Sequence, residues 1–131
     1  MQIVVRIALI VTLVLGLTGC YSIVAMPDVA TASVYGPRIP IRSLSPQQVA
    51  RLSTWMKAHD AGWRALMETP PAVITMRLVL REPNGQQVHF DLFMSTHGTA
   101  TMYFYAQSPA PPLKRYLSEA DVATLWESLR N

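Results

Sequence analysis

The chain has 131 residues, half of them hydrophobic, with eleven Lys and Arg against eight Asp and Glu and a formal net charge of +3. That length suits one domain. Arg38, Arg42, Arg51, Lys57, Arg64, Arg77 and Arg81 are scattered instead of lining one face, which argues against a nucleic-acid binder, and a single cysteine excludes an intrachain disulfide.

Met1 to Arg6 reads as a short basic region, followed by the apolar run Ile7 to Leu17 and then Leu17-Thr18-Gly19-Cys20. This ending resembles the lipobox of bacterial lipoproteins, in which a Leu and two small residues precede an acylated Cys. The resemblance implies a signal peptide over 1–19, cleavage before Cys20, and a thiol carrying a diacylglyceryl group, with a further acyl chain such as palmitate on the new amino terminus. Each buried CH₂ contributes roughly 0.8 kcal/mol, so more than one chain makes a stable anchor. Tyr21 stands where an Asp would imply retention in the inner membrane, so the resemblance points to the outer membrane, facing the periplasm. A competing topology is an uncleaved single-pass helix, since Ile7 to Met26 carries no charged side chain. Thr12, Gly16, Thr18, Gly19 and Ser22 make that stretch a poor hydrocarbon-facing helix.

Residues 20–43 follow as lipidated Cys and tether, because Pro27, Gly36, Pro37 and Pro40 interrupt any sustained period. Val34, Tyr35, Ile39 and Ile41 are apolar enough for the distal part to dock on the domain. The domain itself is expected over 44–131. Leu44-Ser45-Pro46-Gln47-Gln48-Val49 combines an N-cap Ser, a Pro at the first helical position and a Gln at N3, and predicts a helix running to about Gly62.

Three runs of period two come next: Ala72–Arg81, Gln87–Met94 and Ala100–Ala106. Pro83-Asn84-Gly85 and His97-Gly98 supply turns, so a three-stranded antiparallel meander is expected. Pairing Leu78 with Phe90 and Phe90 with Phe104 keeps the apolar residues on one face. The opposite face then carries Arg77, Asp91 and Tyr103 in one row, Val79, His89 and Tyr105 in a second, and Thr75, Phe93 and Thr101 in a third. After a proline-rich loop, Leu117-Ser118-Glu119-Ala120-Asp121-Val122 repeats the helix-start chemistry. Helix, three strands and helix together predict an α+β domain with both helices packed on one sheet face.

His59, His89 and His97 lack metal-ligand spacing, and no phosphate-binding loop or nucleophile elbow is present, so neither metal nor cofactor is expected. An enzyme is the less favoured class. The surface worth testing is Arg77, His89, Asp91, Phe93, Tyr103 and Tyr105, an aromatic face suited to an envelope protein partner or to being covered by the tether. The reading is a lipid-anchored accessory or interaction module; the alternative is a small hydrolase or ligand-binding domain using His89 and Asp91.

Overall fold

The computed structural model describes residues 23–106 and 111–131. Leu17, Thr18, Gly19 and Cys20 lie outside the described residues, as does most of the uncharged run.

The two helices begin where their capping chemistry puts them. Helix α1, Pro46–Ala58, is capped by Ser45, whose Oγ accepts from the Gln48 amide at 3.2 Å while Gln48 Oε1 accepts from the Ser45 amide at 2.8 Å. Helix α2, Glu119–Leu129, repeats this with Ser118 and Asp121, both bonds at 3.1 Å. Among the described residues no helix is long and apolar enough to cross a membrane.

The strand content overturns the expected three-stranded α+β meander. Among the described residues seven strands form one antiparallel sheet flanked by two helices, so the domain is predominantly β. They are β1 Thr31–Gly36, β2 Ile39–Ser43, β3 Arg64–Ala65, β4 Met76–Arg81, β5 Gln87–Met94, β6 Ala100–Tyr105 and β7 Leu113–Leu117, in the spatial order β2-β1-β4-β5-β6-β7-β3. The register expected across the middle strands is present: Leu78 opposes Phe90, and Phe90 opposes Phe104.

The four additional strands were hidden for local reasons. Gly36, Pro37 and Pro40 read as breakers in a tether, yet residues 36–38 are the tight corner of the β1–β2 hairpin, and Pro40 sits in an edge strand, where a missing donor is tolerated. Lys114 and Arg115 mask the alternation of β7, and two-residue β3 is too short to show a period. Val34 to Ile41 therefore extends the edge of the sheet beside β4; it does not lie across the face. Even residues upstream of β1 belong to the body, since the Val24 amide donates to the Asp60 carbonyl at 2.8 Å and Val24, Met26 and Val29 pack on the core.

One face of the sheet builds the core. Ala32, Val34, Met76, Leu78, Leu80, Val88, Phe90, Leu92, Met102 and Phe104 meet Val49, Leu52, Trp55 and Met56 of α1 and Val122, Leu125 and Leu129 of α2. Polar contacts fix the helices antiparallel: Gln48 Nε2 donates to the Leu129 carbonyl at 2.9 Å, Trp55 Nε1 to Thr124 Oγ1 at 3.0 Å, and His59 Nε2 lies 3.0 Å from Asp121 Oδ1. His59 also stacks on Trp55 at 3.9 Å, and its Nδ1 faces the Trp55 carbonyl at 2.6 Å. Burial alone would raise the Asp121 carboxyl, but hydrogen bonds from His59 and Ser118 outweigh it and hold it below its ordinary value.

Gly36 closes the hairpin against the chain entering β4. A Cβ there would stand 2.4 Å from the Thr75 carbonyl oxygen, a backbone atom that cannot swing aside. Gly36→Ala is expected to cost about 1–3 kcal/mol, of the order found for overpacking, because β1 or the 72–75 segment must shift. Urea unfolding measures it, and a variant as stable as the parent would show that the hairpin relaxes freely.

Candidate functional site

The face turned away from the helices collects the residues singled out in the sequence. Parity puts Tyr35, Arg77, Asp91, Tyr103, Lys114 and Arg64 in one row spanning six strands, from β1 to β3. Val79, His89 and Tyr105 form the neighbouring row, and Phe93, Thr101 and Tyr116 the row on the other side.

The central row is held by two separate ion pairs. Arg77 clamps Asp91 with both arms of the guanidinium, Nε to Oδ1 at 2.6 Å and a terminal nitrogen to Oδ2 at 2.8 Å. These bonds, foremost among the influences on it, raise the Arg77 pKa still further. Tyr35 Oη accepts from Arg77 at 3.4 Å, and Lys114 is paired with Glu68. Although neither described helix covers this face, Asp91 and Tyr103 are each only 4 % exposed, and Lys114 7 %.

The connection from β3 to β4 reaches this face at Lys114. β3 lies at one edge and β4 four strands away, so residues 66–75 must traverse about 19 Å. Glu68 meets Lys114 on the helix-free side, which places the crossing there. Burial first, and then the Glu68 charge, push the Tyr103 hydroxyl above its usual pKa. Phe93 closes on Tyr103 edge-on, with ring centroids 5.1 Å apart.

The crossing leaves two stretches of the face open. At one end His89 stacks on Tyr105, centroids 4.6 Å apart and planes 19° from parallel, beside half-buried Val79. At the other end a cavity of about 590 Å³ is lined by Phe93, Met94, Thr99, Thr101 and Tyr116 among others. Of the six residues proposed for a contact surface, Arg77, His89, Phe93 and Tyr105 are thus partly accessible, whereas Asp91 and Tyr103 are buried. Sequence reasoning missed Tyr35, Arg64, Glu68, Lys114 and Tyr116. For the last two the available signal was the spacing of Leu113 and Leu117, obscured by Lys114 and Arg115; nothing local signalled Glu68, which arrives from a loop.

No family model, curated protein or solved structure matches the chain. The chemistry of the face therefore stands on its own geometry. Both oxygens of Asp91 accept from Arg77, and among the described residues no hydrogen bond joins Asp91 to His89. Among the described residues no group of three His, Cys, Asp or Glu side chains is disposed to hold a metal ion.

Burial chiefly, and then the positive charge of Arg77, hold the His89 imidazole below its ordinary pKa. The folded state therefore binds this proton less tightly than the unfolded chain does. Its contribution to stability is complete above the unfolded value of about 6.5 and is lost as pH falls through the folded one. An NMR titration is expected to place the His89 midpoint below the ordinary imidazole value of about 6.5, and Arg77→Met to raise it. A midpoint unmoved by Arg77→Met would rule out the electrostatic contribution.

Proposed function

We propose that this chain is a lipid-anchored protein of the bacterial envelope, held by acylated Cys20 in the outer membrane and facing the periplasm, and that its folded domain is a non-catalytic interaction module. The partner is another envelope protein, contacted through the open end of the helix-free face at Val79, His89 and Tyr105. The observation that carries this reading is the stacked His89–Tyr105 pair, partly exposed on a sheet face that neither helix covers. A rigid aromatic pair held by strands offers apolar area at little entropic cost, as favoured contact residues do. The anchor itself is supported by Leu17-Thr18-Gly19-Cys20 and by the lack of any second thiol to pair with Cys20.

Two measurements test the proposal. Intact mass of the protein purified from membranes should show a chain beginning at an acylated Cys20; a full-length chain with a free thiol refutes the anchor. Crosslinked capture from envelope membranes should lose its main product with Tyr105→Ala and His89→Ala but keep it with Trp126→Ala on α2. Unchanged capture in all three variants rules out this surface.

A further inference from the structure

We propose that the β3–β7 edge of the sheet is a lipid-contact surface, with Ile23, Met67 and Tyr116 meeting the bilayer and Arg64 meeting its phosphates. The inference rests on the anchor at Cys20 proposed above and adds which side of the domain faces the membrane. Its basis is the length of chain between the anchor and the first fixed point. Val24 is tied to the body by its bond to Asp60, and it lines a cavity whose wall runs from Glu82 and Val88 at the β4–β5 hairpin to Pro111 and Leu113. Asp60 lies four residues before Arg64 of β3, so this bond joins the chain to the body on the β3 side. Four residue steps separate Cys20 from Val24, and whatever their conformation covalent geometry limits them to about 14 Å.

That leash is short compared with the molecule. From β3 to β2 the sheet is six strand spacings wide, about 29 Å. The edge near Val24 must therefore stay close to the lipid, while the β2 edge can be held well away from it.

The exposed side chains on the near edge have the chemistry such a position requires. Ile23 is 79 % exposed, Met67 87 % and Tyr116 60 %. The Arg64 guanidinium rests over the Tyr116 ring, 4.5 Å from its centroid. Among the described residues Arg64 pairs with no carboxylate. An amphipathic aromatic ring beside a cation, flanked by aliphatic side chains, matches the bilayer interface, where rings sit at headgroup level and cations are drawn to anionic lipid.

The test uses the full lipidated protein reconstituted in vesicles of phosphatidylethanolamine and phosphatidylglycerol. With Cys20 acylated, Met67→Cys and Ile41→Cys each present one thiol for a fluorophore, at the near edge and on β2 respectively. Nitroxide-bearing lipids are expected to quench the probe at 67 several-fold more than the probe at 41. Equal quenching, or stronger quenching at 41, in a chain whose mass shows the lipid overturns the edge assignment alone. A mass showing an unmodified Cys20 overturns the anchor reading, and this inference with it.

Discussion

Trp63→Ala is expected to lower stability by about 3–5 kcal/mol, the largest effect of any single truncation in this domain. Trp63 is fully buried between the end of α1 and the sheet, 6.0 Å from both Phe90 and Phe104, which stack on each other at 4.5 Å. Its indole nitrogen also donates to the His59 carbonyl at 2.9 Å, a group at the α1 C-terminus that would otherwise be left without this donor. Alanine therefore loses the ring's transfer energy, opens a cavity and strands an acceptor. Against a total of about 5–15 kcal/mol for a domain of this size, such a loss brings the protein near its unfolding limit. Trp63→Phe keeps much of the volume and should cost clearly less. Urea denaturation separates the two, and a loss under about 1 kcal/mol for the alanine variant would show that the aromatic cluster is not the centre of the core.

Arg77→Ala is expected to cost about 3 kcal/mol because it leaves the Asp91 carboxylate buried and unpaired. The Asp91 side chain is 5 % exposed and both its oxygens depend on Arg77. The double replacement Arg77→Met with Asp91→Leu should recover most of the loss, since it removes the charge together with its partner. A single variant within about 0.5 kcal/mol of the parent, or a double variant no better than the single, would contradict the structural role given to this pair. Capture of a partner should survive in the double variant, because the proposed contact lies one row away at His89 and Tyr105.

The helices and the middle of the sheet were legible from local chemistry. Ser45 with Gln48, and Ser118 with Asp121, satisfy their own orphan amides within four residues, so nothing distant is needed to start either helix. Strands β4, β5 and β6 alternate cleanly enough that parity alone gave the rows on both faces. The candidate face was less legible. Which residues share a row follows from pairing, but which remain accessible follows from a loop, and the path of residues 66–75 is dictated by where β3 and β4 come to lie in the sheet.

Sequence alone determined the helix starts and the register of three strands, because each depends on neighbours a few residues apart or on an alternation that one slip would destroy. Tertiary structure decided that Thr31–Ser43 forms part of the sheet, that β7 and β3 complete its other edge, and that Asp91, Tyr103 and Lys114 are buried on a face without helices. Those outcomes come from pairings between distant segments, where edge strands with proline, charge or only two residues are stabilised by the strand beside them and not by any pattern of their own.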